Sequence, residues 1–217
     1  MKIAVLGTGM VGQAIGSRLV ELGHAVMMGS RTADNEKALA WVGQQGDRAS
    51  QGNFADAAAY GELVFNCTSG MASLAVLEAA GQEQLAGKVL VDVSNPLDFS
   101  QGMPPRLSVC NTDSLGEQIQ RAFPETRVVK SLNTMNCNVM VRPAEVAGGE
   151  HNVFVSGNDA AAKQSVRLLL KEFGWKDEYI LDLGDISSAR GTEAWLPLWL
   201  RIWGATGTGA FNLRIVK

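Results

Sequence analysis

The sequence predicts an α/β chain: a doubly wound, mainly parallel sheet completed by a small C-terminal α/β element. Two observations lead there. Over roughly the first 130 residues, short unbroken apolar runs alternate with segments of helical period. Unbroken runs belong to strands covered on both faces, which is the environment of parallel strands joined by crossover helices. The second observation is a glycine string between the first apolar run and the first helical segment, Gly7-Thr8-Gly9-Met10-Val11-Gly12.

Residues 2–6 read as the first strand. A helix follows, with Val11, Ala14, Ile15 and Leu19 on one stripe, and Gly23 stops it just past its end. Residues 24–28 form the next strand and 33–44 the next helix. Residues 62–67, 88–93 and 127–132 are further strands, with helices over 71–80 and 113–123. Residues 152–156 and 179–183 are short strands around a helix at 159–173. A last helix over 187–203 gathers Trp195, Leu198, Trp199, Ile202 and Trp203 on one broad face, and Pro197 should kink or divide it. A glycine-rich turn at 204–209 leads to a tail, 211–216, that reads as a closing strand. Residues 96–108, with Gly102 and Pro104-Pro105, read as a loop.

Composition narrows the function classes. With 46% hydrophobic and 19% charged residues, the 217-residue chain is ordinary globular material, large enough to bury a core. A net charge of −3 and the lack of a basic stripe argue against nucleic acid or an anionic membrane as partner. The run Ile3–Leu6 ends at Gly7, short of the roughly 7–15 apolar residues of a signal peptide, and no stretch approaches the roughly 20 needed to span a bilayer. Cys67, Cys110 and Cys137 are widely spaced and form no disulfide framework, and with only His24 and His151 beside them no metal-ligand cluster is expected. A reducing cytoplasmic setting fits.

The glycine string matches G-x-G-x-x-G in the context that gives that pattern meaning, after a strand and opening an amphipathic helix. Gly7 permits the tight turn, Gly9 lets backbone approach a pyrophosphate, and Gly12 allows close packing of helix on sheet. Thr8, Met10 and Val11 share the turn, whose helix N-terminus favours an anion. A Rossmann-type dinucleotide site is the reading. The second strand then selects the nucleotide. It ends Met27-Met28-Gly29-Ser30-Arg31-Thr32, with no acid to accept from a ribose 2′-hydroxyl. Ser30 and Arg31 suit a 2′-phosphate, so NADP(H) is expected over NAD(H). Lys37 adds a second charge in this reading and reads equally as an exposed helix lysine. Thr68 and Ser69 after one strand, Asn95 after the next and Asn133 after a third lie at carboxyl ends, where an open α/β sheet places its ligand crevice. Each serves equally well as a turn former. Cys67 reads as a small buried hydrophobe, Lys130 as an edge-facing charge rather than a general acid, and Arg190 with Glu193 as support for the start of the helix, with a local ion pair at helical spacing as the other reading. A single unit over 1–217 is expected, with a dinucleotide-binding part over about 1–157 and a small element over about 158–217.

Taken in order, the Gly-Thr-Gly-x-x-Gly turn, Gly29-Ser30-Arg31, Val128-Val129-Lys130 with Asn133-Thr134, and Ser188-Ala189-Arg190-Gly191-x-Glu193 resemble the NADPH:coenzyme F420 oxidoreductase family and its bacterial dinucleotide-binding relatives. The cytosolic domain of membrane-bound metalloreductases is a more distant cousin. The resemblance covers essentially the whole chain. It departs in the first turn, where the family commonly carries one glycine more. It implies a homodimer that exchanges hydride between NADPH and a deazaflavin (coenzyme F420) or flavin laid against the nicotinamide, with Thr8–Val11 on the pyrophosphate, Ser30 and Arg31 on the 2′-phosphate, and Thr68, Asn95 and Asn133 bordering the nicotinamide crevice. A small electrophile is a further acceptor class. Catalysis of that kind is chiefly positioning, which agrees with a sequence that shows no triad, carboxylate pair or metal cluster. Two alternatives stay open. An imine or 3-hydroxyacid reductase shares the N-terminal half but needs a long helical C-terminal domain, whereas only 57 residues follow position 160. A non-enzymatic NADP(H) sensor would bind dinucleotide without turnover.

Overall fold

The computed structural model describes residues 1–216. Strand β1 (Lys2–Leu6) shows how the sheet is made. Its side chains alternate, Ile3 and Val5 entering one apolar cluster and Ala4 and Leu6 another, so both faces are buried. The chain continues as α1 (Met10–Glu21), β2 (Ala25–Ser30), α2 (Glu36–Gln45), β3 (Ala49–Asn53), α3 (Phe54–Tyr60) and β4 (Leu63–Asn66). A 3-10 turn leads into α4 (Ser73–Ala80), then α5 (Gln82–Leu85), β5 (Val89–Asp92), β6 (Leu97–Asp98), β7 (Arg106–Leu107) and α6 (Leu115–Ala122). The remainder is β8 (Arg127–Ser131), α7 (Cys137–Val141), β9 (Val153–Gly157), α8 (Ala160–Phe173), β10 (Ile180–Asp182), α9 (Ala189–Ala194) and α10 (Leu196–Thr206).

Eight strands form one sheet in the order β10-β9-β8-β5-β4-β1-β2-β3. Every neighbouring pair is parallel except β8 with β9. Helices α1, α2, α7 and α8 bury their apolar stripes on one face, and α3 to α6 on the other. The order reverses between β1, which steps outward to β2 and β3, and β4, which steps the other way to β5 and β8. A doubly wound sheet opens its ligand crevice at such a switch point.

Three expectations are corrected and two elements are added. Residues 49–60 hold a strand and a helix that the apolar pattern did not announce: β3 is a polar edge strand, and α3 begins with a capping box in which Asn53 and Asp56 bond each other's backbone N–H. Residues 96–108 are not plain loop, since β6 and β7 pair as a short antiparallel ladder. The helix expected over 187–203 is a 3-10 turn, Ile186–Ser188, followed by α9 and α10; Pro197 stands in the first turn of α10, where its missing N–H does least harm, and α10 runs on through Gly204. The tail 211–216 joins no ladder. It is an extended strap held at Asn152, whose N–H donates to the Leu213 carbonyl at 2.8 Å and whose Oδ1 accepts from the Ile215 N–H at 2.7 Å.

Candidate functional site

The glycine turn after β1 is shaped by contacts that leave no room for side chains. Gly7 has φ +115°, and a Cβ there would stand 2.8 Å from the Cys67 carbonyl oxygen. A Cβ at Gly12 would overlap the Gly7 carbonyl oxygen, so α1 packs on the turn only because Gly12 has none. Gly9 is different. It is the N-cap of α1 in extended backbone, and nothing lies within 4 Å of where its Cβ would be. No side chain caps α1. The first N–H groups of the helix therefore face the open side with the positive end of the helix dipole behind them. Gln13, which sequence reasoning passed over, pins the turn by donating from Nε2 to the Thr8 carbonyl at 3.0 Å.

A cleft of about 510 Å3 opens in front of this turn. Gly9, Met10 and Val11 form one wall; Thr68 and Ser69 from the end of β4, with Asn95 beyond β5, form the other. The β6–β7 segment contributes Leu97 and an exposed Phe99 at the mouth. The two loops of the far wall touch backbone to backbone, since a Cβ at Gly70 would overlap the Asn95 carbonyl. Asn133 stands behind Asn95 rather than in the cleft. Asn95 Nδ2 donates to the Asn133 carbonyl at 2.8 Å, and Asn133 Nδ2 donates back to Asn95 Oδ1 at 2.9 Å.

At the end of β2, Ser30 is buried and its hydroxyl donates to the Thr32 carbonyl at 2.5 Å, which closes the turn and engages its hydrogen. Arg31 is exposed, and no ion pair is formed by it among the described residues. Lys37 projects from the exposed first turn of α2. The structure thus gathers Gly9, Met10, Val11, Thr68, Ser69 and Asn95 in one cleft, with Gly7, Thr8 and Gly12 in the turn beneath, and sets Ser30, Arg31 and Lys37 at the neighbouring strand end.

Behind the cleft lies a polar network that local sequence did not reveal. Lys130 is not an edge-facing charge. It is 1% exposed on the central strand β8, and its ammonium donates to Asp92 Oδ2 at 2.8 Å, Glu193 Oε1 at 2.7 Å and the Ser94 carbonyl at 2.6 Å. Burial pushes the Lys130 pKa down, but the Asp92 and Glu193 carboxylates outweigh it, and the net direction is upward. Asp92 Oδ1 in turn accepts from the Ser94 hydroxyl at 2.6 Å and from Asn66 Nδ2 at 2.9 Å, and Asn66 Oδ1 accepts from the Thr68 hydroxyl at 2.7 Å. Glu193 accepts the Leu115 and Gly116 N–H groups at 2.9 and 3.0 Å, the free donors at the start of α6. A local pair of Arg190 with Glu193, one of the two readings their spacing allowed, does not form. Arg190 reaches Glu117 instead, with Nε to Oε2 at 2.8 Å, and holds the Glu117 carboxyl below its usual range. Burial pushes the Cys67 thiol far up, which leaves it a poor nucleophile.

Among the described residues, no group of three His, Cys, Asp or Glu side chains is arranged to hold a metal, and no helix is long and apolar enough to cross a membrane. The switch-point cleft, the uncapped α1 and the glycine cradle define a Rossmann-type dinucleotide-binding protein. Residues 2–96 match the family model described as NADP oxidoreductase, coenzyme F420-dependent. A solved structure from Arthrobacter sp. FB24, provisionally described as an F420-dependent NADP-reductase, is 55% identical, covers 100% of both chains and superposes with a TM-score of 0.94. Rat (Rattus norvegicus) metalloreductase STEAP3 is 32% identical over 92% of this chain, which spans 37% of that relative's length. A reductive aminase from Aspergillus terreus, solved with NADPH, shares the fold at a TM-score of 0.67 and 20% identity, over 95% of this chain and 62% of its own. The chain belongs to the coenzyme F420-dependent NADP oxidoreductase family. It is thus an NADP-dependent oxidoreductase, with NADP(H) as its cofactor.

Proposed function

We propose that NADP(H) lies across the glycine turn with its nicotinamide end in the 510 Å3 cleft, and that the chain passes hydride to a planar deazaflavin or flavin entering from the mouth. The observation that carries this reading is the cleft itself: a cradle open at Gly9, where a Cβ would meet nothing, facing the strand-end loops of β4 and β5. The N–H groups of Met10, Val11 and Gly12 are suited to the pyrophosphate, and Gly7 and Thr8 shape the turn that presents them. Arg31 is suited to the 2′-phosphate, with Lys37 near enough in sequence to add charge and Ser30 holding the turn that aims Arg31 outward. Thr68, Ser69 and Asn95 border the nicotinamide ribose, and Asn133 fixes Asn95 from behind.

When bound, the dinucleotide supplies the hydride, so the chain's task is to orient and to exclude water. Exposed Met10 and Phe99 give the cleft an apolar rim suited to a flat ring system. The same reading includes a second copy of the chain, because α10 exposes Leu198 and Trp203, and a cytoplasmic setting; sedimentation of the purified chain tests the first. The decisive experiment titrates the protein with NADPH and NADH, then mixes the complex with F420, FMN and FAD in a stopped flow. Preferential NADPH binding and rapid oxidation by one acceptor are expected. Binding without oxidation by any of them overturns the acceptor assignment and favours a small electrophile, an imine-type substrate or a sensor.

A further inference from the structure

The fully buried charges do not touch the cleft, yet they connect its far wall to the C-terminal element. Two strand ends and two helices meet at one ammonium. Asp92 closes β5, Lys130 sits on β8, and Glu193 comes from α9 and caps α6. From Asp92 the chain of bonds runs to Ser94, and through Asn66 to Thr68. Both of these residues line the cleft. All three ammonium donors have acceptors, and the directions of the bonds are set. Asp92 is acceptor-only, so the Ser94 hydroxyl donates inward; Asn66 must aim its amide hydrogens at Asp92 and Ser73, so its oxygen faces Thr68, whose hydroxyl also donates inward. Both hydroxyl hydrogens are therefore committed inward, away from the cleft.

A buried ion cluster of this kind contributes little net stability compared with apolar packing, because desolvation of its charges is costly. What it offers here is register. The Lys130 ammonium also holds the Ser94 carbonyl, and Ser94-Asn95 is the loop that meets Gly70 and Asn133.

We propose that Lys130 is a positioning residue: from its buried seat it anchors α9 to the ends of β5 and β8, and so fixes the Ser94–Asn95 and Thr68 wall of the cleft for hydride transfer. The proposal rests on the NADP(H) reading above in its kinetic consequence, not in its geometry. Glu193→Gln is the test variant, because it takes the negative charge out of the α9 tie and sets an amide NH2 against one of the N–H groups that Glu193 now accepts, while leaving Asp92 and Lys130 as a neutral pair; Lys130→Met, which strands two carboxylates, is the harsher second.

Single-turnover mixing of NADPH-loaded full-length protein with whichever of F420, FMN or FAD the wild type reduces separates positioning from folding. The expected result for Glu193→Gln is a hydride-transfer rate constant lower by about 10- to 100-fold, the scale of a misplacement near 1 Å. The amplitude should be retained and the NADPH Kd should stay within about threefold of wild type. A wild-type rate constant with reduced amplitude marks a merely structural residue and overturns the proposal. So does a wild-type rate constant at full amplitude, and so does a loss of NADPH affinity that accounts for the slowing. If the wild type passes hydride to none of these acceptors, whether or not it binds NADPH, the acceptor reading fails, and amide hydrogen exchange then tests the positioning claim by itself. Exchange at Ser94 and Thr68, whose N–H groups donate to Asp92 and Asn66, should quicken at least about tenfold in Glu193→Gln while β1 and β2 stay protected. Unchanged exchange at both overturns it.

Discussion

Gly9 and Gly12 sit three residues apart in one motif, yet their replacement by alanine should fail in opposite ways. At Gly12 the new Cβ would stand 3.0 Å from the Gly7 carbonyl carbon and overlap its oxygen, both backbone atoms that cannot swing aside. Helix α1 would have to lift from the turn, an overpacking cost of about 1–3 kcal/mol. For a chain of this size that is a fall in Tm of roughly 3–10 °C. At Gly9 the Cβ meets nothing within 4 Å, and φ −77°, ψ −178° is open to alanine. Loss of a good N-cap residue and the lower entropy of the unfolded chain offset each other to within about 0.5 kcal/mol. Stability should therefore hold, while a methyl group in the pyrophosphate path lowers NADPH affinity at least about tenfold, near 1.4 kcal/mol. The assay is a thermal melt of each variant without ligand, followed by an NADPH fluorescence titration at 25 °C. Gly9→Ala binding NADPH as the wild type does would refute the placement of the pyrophosphate. Gly12→Ala melting with the wild type would refute the steric argument itself.

Arg31→Ala should weaken NADPH by roughly 10- to 100-fold, the loss of a charge-assisted contact, and leave NADH almost unchanged; equal losses for both would remove the 2′-phosphate assignment. Lys130→Met leaves Asp92 and Glu193 buried without a counter-charge, and the expected 3–5 kcal/mol loss should lower Tm on the order of 10 °C in a melt at pH 7. The Arg121 guanidinium holds the Asp113 carboxyl down at about 2, below its ordinary unfolded value, so its contribution is present above that ordinary value and is lost as pH falls toward 2. In melts between pH 5 and 2, Asp113→Asn should flatten the acid limb of the stability curve, and an unchanged limb would place acid sensitivity elsewhere.

The fold was legible where structure is local. β1, the turn and α1 could be read because their causes lie within 20 residues of one another: an unbroken apolar run, glycines where backbone crowds backbone, and a stripe at helical spacing. β3 was not legible, since Ala49–Asn53 is a polar edge strand whose only apolar residue is one alanine, and it is held by pairing with β2 rather than by burial. The signal that could have found its neighbour α3 was present in Asn53 and Asp56, a capping pair standing before a helix of alanines. The tail misled for the reverse reason. Phe211, Leu213 and Ile215 alternate as in a strand, but Asn152 meets them with one residue's worth of donors and acceptors rather than a ladder.

Lys130 marks the deeper limit. A lysine inside Arg-Val-Val-Lys-Ser reads as an edge charge because a buried ammonium is too costly without partners, and no partner is near in sequence. Its partners are Asp92 and Glu193, which only the assembled sheet and the returning α9 bring to it. The same placement shows why the cleft wall could be read only as separate turn formers. Thr68, Ser94 and Asn95 are each ordinary at a strand end, and they become one surface, with Asn133 bracing it from behind, through bonds that lead back to a residue outside the cleft. A chemistry that asks for positioning rather than for a strong acid or base leaves its mark in such supports, so the informative substitutions in this protein are those behind the wall as well as those on it.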